Sequence, residues 1–250
     1  MARVTRDIPV ESLLARQTAL WEMRRRMSLT EMEKELEERP WNRGYITISR
    51  QLGSLGNEIA ARVAELLGWQ VFDRELVHEI AVSTKMREQV IESLDERQKE
   101  AAKSWVQGII DSDSISSDRY AHHLVKVIAS IAQHGQAVII GRGANFVLDP
   151  QMGLRVRIVA PRDVRLLRIL QQEGLSEKEA RKRLRSADNR QIAFIRHYFH
   201  QDVDDSHHYD LILNTAHLGL EAAAQTIRMA LVSKFTVQEG SEEKARHGRT

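Results

Sequence analysis

The chain contains no cysteine. Disulfides, thiolate zinc sites and a cysteine nucleophile are thereby excluded, while the compartment stays open because cytosolic proteins also do without cysteine. No stretch approaches the roughly 18–20 consecutive apolar residues of a membrane-spanning helix, and the N-terminus lacks an apolar signal core followed by small residues. A soluble, cytoplasmic protein with no membrane partner is expected. Excess charge of one sign is missing too: 37 Lys+Arg face 35 Asp+Glu, a net charge of +2. That balance is too small for a polyanion-wrapping surface and argues against a nucleic-acid partner. Lysine is scarce within the basic set, with 28 Arg and 9 Lys, and arginine grips phosphate and carboxylate with a two-pronged fork where lysine acts as a point charge. What is present is 250 residues, 42% of them hydrophobic. This supports one large α/β domain or two small ones and excludes a disordered or collagen-like chain.

Residues 1–43 carry long charged stretches, including Arg24, Arg25 and Arg26 and an acidic run from Glu31 to Glu38. Apolar residues recur at Leu13, Leu14, Ala19, Leu20, Met23, Met27, Leu29 and Met32, near helical spacing, and predict one or two appended amphipathic helices. Thr30 with Glu33 forms a capping-box pattern for the second. After Pro40 the pattern changes. Tyr45–Ser49 is a β-branched strand run leading through Arg50-Gln51-Leu52-Gly53-Ser54-Leu55-Gly56 into a helix pattern stopped by Gly68. A short strand at Val71-Phe72 runs into Asp73-Arg74-Glu75. Residues 74–135 read as helices broken by a Ser-rich loop at 111–118. Further strands are expected at Ala137–Ile140, Leu154–Ala160 and Tyr209–Leu213, with two helices between the last pair, the second capped by Ser176 and Glu179. A final helix over about 218–234 precedes a polar tail, residues 236–250, expected to be disordered. Strands alternating with helices predict a parallel sheet covered on both faces.

Ligands of such sheets sit at the carboxyl ends of the strands. The segment from Ser49 to Gly56 there is glycine-containing and precedes a helix, so its N–H groups and the positive helix end suit an anion. A tight structural turn has the same spacing, and the lysine that neutralises phosphate in G-x-x-x-x-G-K-[ST] is absent. Gly141-Arg142-Gly143 fails as a dinucleotide fingerprint, because Phe146 holds the third glycine position. The segment His197, His200, Asp202, Asp204, Asp205, His207, His208 is rich in potential metal ligands, but its charge mix reads as a polar loop. Arg162, Arg165, Arg168, Arg181, Arg183, Arg185, Arg190 and Arg196 crowd the helices after the fourth strand, around Asp188. Their placement suggests a lid closing positive charge over phosphates.

In order along residues 44–235 stand Ile46-Thr47-Ile48-Ser49-Arg50-Gln51 with Gly53-Ser54 and Gly56, Gly68-Trp69, Phe72-Asp73-Arg74-Glu75-Leu76 and Leu94-Asp95-Glu96. They are followed by Val138–Phe146, Asp188 with Phe194–Phe199, and Tyr209–Thr215. This series resembles the cytidylate kinase-like family, relatives of bacterial CMP kinase among the P-loop nucleoside monophosphate kinases. The resemblance implies a three-layer fold, with a five-stranded parallel sheet between helices, a helical NMP-binding insertion and an Arg-bearing helical lid. Residues 1–43 and 236–250 lie outside it.

It also implies transfer of phosphate from ATP with Mg²⁺ to a nucleoside monophosphate, CMP or dCMP first. Gly53, Ser54, Gly56 and the adjoining Asn57 would cradle ATP phosphates, with Arg162, Arg165 and Arg168 over them. Arg142 would hold the acceptor phosphate, Asp188 and Arg190 would face the acceptor nucleotide, and Asp73 with Ser54 would hold the metal. Three departures stand out. The P-loop lysine of CMP kinases aligns with Gly56, Leu55 replaces a glycine within Gly-Ser-Gly-Gly, and Gln191 stands where the family often has arginine. Arg50 is the residue expected to supply the missing charge. The absent lysine and Leu55 fit a rival, a non-catalytic nucleotide-sensing module whose N-terminal helices bind a partner or a second copy. A nucleic-acid reading rests only on Arg24–Arg26 and the lid charge.

Overall fold

A computed structural model describes residues 9–27, 31, 34, 39–112 and 114–247, with side chains through 236. Five strands form one parallel sheet: β1 (Tyr45–Arg50), β2 (Gln70–Phe72), β3 (Ala137–Ile140), β4 (Gly153–Val159) and β5 (Leu211–Asn214), in the order β2-β3-β1-β4-β5. The central strand β1 pairs Ile48 with Ile140 on one side and Ser49 with Arg157 on the other. Strands buried on both faces lose the polar alternation of a half-exposed sheet, which is why β3 is the unbroken Ala-Val-Ile-Ile. The chain leaves β1 toward the β2 edge and β3 toward the β5 edge. A crevice therefore opens between the carboxyl ends of β1 and β3.

Period-2 alternation divides β1 between two cores. Ile46 and Ile48 join Val156, Ile158 and Val138 against α2 (Gly56–Leu67) and α10 (Leu220–His247). Tyr45 belongs to the opposite core, built on α3 (Arg74–Val82), α4 (Thr84–Glu92), α5 (Glu96–Asp111) and α6 (Arg119–Gln133), with α7 a single turn at Ala144–Val147. Helix starts follow side-chain chemistry. The Asp73 carboxylate accepts from Leu76 N–H at α3, and Asp95 with Gln98 forms a capping box at α5. Each such cap is worth about 1 kcal/mol. The hairpin of α8 (Arg162–Glu173) and α9 (Glu177–Phe199) carries the Ser176–Glu179 box expected from spacing and a small core of its own, Leu166, Ile169, Ala180 and Leu184.

Three boundaries differ from expectation. Helix α1 (Val10–Arg25) docks through Leu14, Gln17 and Trp21, leaving Leu20 and Met23 outward, because its apolar residues surround the helix and only the Leu14–Trp21 stripe meets the core. Trp21 stacks on His134 with ring centroids 3.7 Å apart and on Phe72 at 6.0 Å, and Arg24 donates to Gln136 Oε1. The Thr30–Glu33 cap lies outside the described residues. Strand β5 starts at Leu211, because the Tyr209 hydroxyl is held in the preceding loop by the Val203 carbonyl. Finally, α10 continues to His247 where a disordered tail was expected. The segment's Glu, Lys, Gln and Arg are good helix formers, and a polar composition does not remove helix propensity.

Candidate functional site

The site begins where β1 ends. Its turn is fixed by Ser54, whose N–H and hydroxyl both donate to the Gln51 carbonyl, at 3.2 and 2.8 Å. Gly53 sits at φ 78°, and a β-carbon there would lie 2.9 Å from the Arg165 carbonyl oxygen. Leu55 is the N-cap of α2 in the left-handed region (φ 62°, ψ 17°), and no side chain caps the helix. A non-glycine residue there costs about 1–2 kcal/mol. Its side chain packs against the α2–α10 core. The amides of the first turn of α2, which have no intrahelical acceptor, thus stand at a helix end that favours anions.

This loop forms one wall of a cleft of about 1010 Å³, at the upper limit of single-ligand pockets and roomy enough for two. Arg74, Glu75 and His78 of α3 and Arg142 after β3 also line it, and α9 contributes Arg190, Gln191 and Phe194. The Arg142 Nε–H donates to the Arg74 carbonyl at 3.1 Å, and its guanidinium lies 5.3 Å from the Phe194 ring centre. Burial lowers the Arg142 pKa, against an opposing pull from Tyr120. Burial, with Arg142 nearby, also lowers that of His78, so the ring bonded to the Tyr120 hydroxyl at 2.9 Å is neutral at pH 7. Burial raises the Glu75 carboxyl, but the hydrogen bond and charge of Arg74, with its own backbone N–H and the charge of Arg50, together leave it below the ordinary value. Arg50 is brought down to about 10 by burial and then by Arg74, against Glu75 and Asp73. Asn145, only 7% exposed, lines the same cleft, and its Nδ2 has no hydrogen-bond partner. A buried donor of this kind is costly unless something accepts from it.

The model of the cytidylate kinase-like family matches residues 45–217, more than half of the chain. The chain belongs to the cytidylate kinase-like family. It is 30% identical over 107 residues to a cytidylate kinase of Ignicoccus hospitalis, a match covering 43% of this chain and 62% of that one. A cytidylate kinase of Methanopyrus kandleri is 28% identical over 109 residues, covering 40% and 56%. The matched stretch thus spans about three fifths of these relatives' length. Among solved structures, an uncharacterized protein from Eubacterium ventriosum superposes with a TM-score of 0.52 at 19% identity, over 75% of this chain and 98% of that one. That likeness concerns the fold alone. The family match and the five-stranded parallel sheet agree on a cytidylate kinase-like fold.

Within this cytidylate kinase-like cleft, the side chains named from sequence divide into two groups. Arg50, Gly53, Gly56, Asn57, Arg142 and Arg190 line the cleft. The others are placed elsewhere. Ser54 is fully buried with its hydroxyl and N–H both committed to Gln51, so it holds the turn rather than a metal. The Asp73 carboxylate caps α3, and it is the next two residues, Arg74 and Glu75, that reach the cleft. Arg165, 5% exposed, donates twice to Asp188 at 2.9 and 3.0 Å and also to the Ala160 and Leu52 carbonyls. Asp188 therefore ties α9 to α8, and the Arg165 guanidinium is engaged within that hairpin and with the loop after β1. Arg168 donates to the carbonyls of Gly53 and Thr215, and Thr215 in turn donates to Ser54 O at 2.9 Å, so Arg168 braces the loop from behind. Arg162 stands exposed at the start of α8, off the cleft. Arg190 keeps its place on the cleft and donates to Ser186 Oγ at 2.7 Å.

Sequence reasoning missed Glu58, His78, Asn145 and Phe194. Asn145 was visible as the polar residue of Gly-Arg-Gly-Ala-Asn directly after β3, while His78 and Phe194 depend on which helix faces turn inward. Among the described residues no three His, Asp or Glu side chains gather into a metal cage. In the His- and Asp-rich segment, Asp204 accepts from Arg157, and Asp205 caps a 3₁₀ turn while meeting His207.

Proposed function

We propose that the cleft transfers the γ-phosphate of ATP to a nucleoside monophosphate, with CMP or dCMP as acceptor. The observation that carries this reading is one cleft, large enough for two ligands, lined by an uncapped helix N-terminus and by Arg142 and Arg190. The α2 amides would receive the donor phosphates. Arg142 and Arg190 would hold the acceptor phosphate, whose ionised oxygen attacks the γ-phosphorus as the β–γ bridging bond breaks and ADP leaves. An anionic nucleophile needs no general base, so chemistry here is positioning and charge neutralisation.

Glu58 and Glu75 are the carboxylates suited to holding the water shell of Mg²⁺, in place of Ser54 and Asp73; the ion would supply charge neutralisation between donor oxygens. The cytidine base rests on the likeness to the two cytidylate kinases, and Glu79 supplies an acceptor that an exocyclic amine requires.

Thermal shift tests this reading. A ligand at 100 times its Kd contributes about 2.7 kcal/mol, which is about 5–10 °C in a protein of this size. ATP and CMP together should raise Tm more than either alone, and AMP, GMP or UMP should not replace CMP. Equal shifts with every monophosphate would remove the cytidine assignment, and no shift with ATP would remove the kinase reading.

A further inference from the structure

Alternation along β1 places Arg50 on the face of Ile46 and Ile48, the face that α2 covers. Its side chain therefore crosses the first residue of that helix. A β-carbon on Gly56 would lie 2.6 Å from Arg50 Cγ and closer still to its Cβ. These are the near, inflexible atoms of the arginine, so no side chain fits at position 56 while Arg50 runs this way. Beyond Gly56 the arginine is steered from two sides. Its Nε–H donates to Asn57 Oδ1 at 2.9 Å, and its Nη1 passes 3.1 Å from where a Gly141 β-carbon would stand. The guanidinium thus spans from the head of α2 to the end of β3, beside Arg142, on the wall of the cleft.

In the common phosphate loop a lysine from the loop reaches the β- and γ-phosphates, and Gly56 occupies that lysine's position. We infer that Arg50 and Gly56 are a reciprocal exchange: the loop cation has moved to the last residue of β1, and position 56 is glycine because the Cβ and Cγ that carry that cation lie over it. Asn57 and Gly141 are its guides, one by a hydrogen bond and one by leaving space. The inference rests on the ATP reading above and assigns its phosphate contact. Two features of the surroundings agree with it. Arg50 stays cationic at neutral pH although burial lowers it to about 10, and Arg74 and Arg142 lie close enough to repel it, a repulsion that a bound anion would offset. A guanidinium also offers a phosphate two parallel donors where a lysine offers a point charge.

The test is a double-mutant cycle read by equilibrium binding of ATP and AMP, each variant first checked for native circular dichroism. Arg50→Ala should weaken ATP by about 10- to 100-fold, the loss of one or two charge-assisted bonds, and AMP by less than threefold. Gly56→Lys alone should also weaken ATP, because the new side chain collides with Arg50. Combined as Arg50→Gly/Gly56→Lys, which also removes the Cβ that a side chain at 56 would meet, the protein should bind ATP at least fivefold more tightly than Arg50→Gly or Gly56→Lys alone. Wild-type ATP affinity in Arg50→Ala, or a folded Arg50→Gly/Gly56→Lys variant no better than Arg50→Gly, overturns the exchange. Should the double variant not fold, Arg50→Gln carries the decision: reduced ATP affinity supports the exchange and unchanged affinity overturns it. Wild-type protein that binds no ATP would defeat the kinase reading itself, whereas ATP binding indifferent to position 50 defeats only this inference.

Discussion

Acid should loosen the seat of the N-terminal helix through one imidazole. His134 lies flat against Trp21, its Nε2 is 2.9 Å from Ser93 Oγ, and burial followed by the nearby Arg24 pushes its pKa from 6.5 to about 3, with Asp95 pulling weakly upward. The unfolded chain takes up a proton near pH 6.5 while the folded chain refuses it until about pH 3. Stability is therefore intact above 6.5 and falls as pH drops through that window. At about 1.4 kcal/mol per unit, the loss is about 2 kcal/mol between pH 7 and pH 5 and about 5 kcal/mol below pH 3. Urea unfolding at pH 7, 6 and 5 measures it, with His134→Gln as the comparison. The variant lacks the stacked ring and starts less stable at pH 7, but its decline with acid should be shallower by about 2 kcal/mol, since carboxylates that titrate in both proteins cancel. Parallel declines would show that His134 is not held neutral and that the Trp21 contact does not seal it from water.

Breaking the Arg165–Asp188 pair should act on stability before it acts on chemistry. Arg165→Met leaves a partly buried carboxylate without its partner and should cost about 3 kcal/mol in denaturant unfolding, most of it restored by adding Asp188→Leu. If Asp188→Asn instead leaves stability untouched and abolishes acceptor binding, Asp188 faces the acceptor after all. Asn145→Ala should do the reverse. Its Nδ2 has no partner to lose, so Tm should hold while the acceptor KM rises about tenfold, the value of one hydrogen bond to a charged group.

The strands were legible in the sequence because strands buried on both faces read as short apolar runs, as Val138–Ile140 does, and because Gly53 and Gly56 mark the turn between β1 and α2. The Ser176–Glu179 cap was legible for a local reason, its fixed spacing. Arg50 was singled out from an absence, the missing lysine, but the crossing of Gly56 that makes sense of it is a contact between a strand face and a helix start. The lid arginines show what sequence hides. Arg162, Arg165 and Arg168 look alike in the chain, yet one is exposed, one is consumed by Asp188 across the α8–α9 hairpin and one braces the loop from behind. Partner choice over such distances is set by how helices pack, not by composition. Leu55 is a similar case: the residue that stands in place of a family glycine packs its side chain against the α2–α10 core while its backbone accepts left-handed strain.

The central claim is that one cleft holds donor and acceptor together and passes phosphate between them. Phosphorus NMR of the protein with ATP, Mg²⁺ and CMP tests it most directly. ADP and CDP should grow in together at equal rates as ATP and CMP decline, with Arg142→Ala nearly silent. ATP that binds and raises Tm while neither CMP nor any other monophosphate gains a phosphate would contradict the account and leave a nucleotide-binding module without transfer.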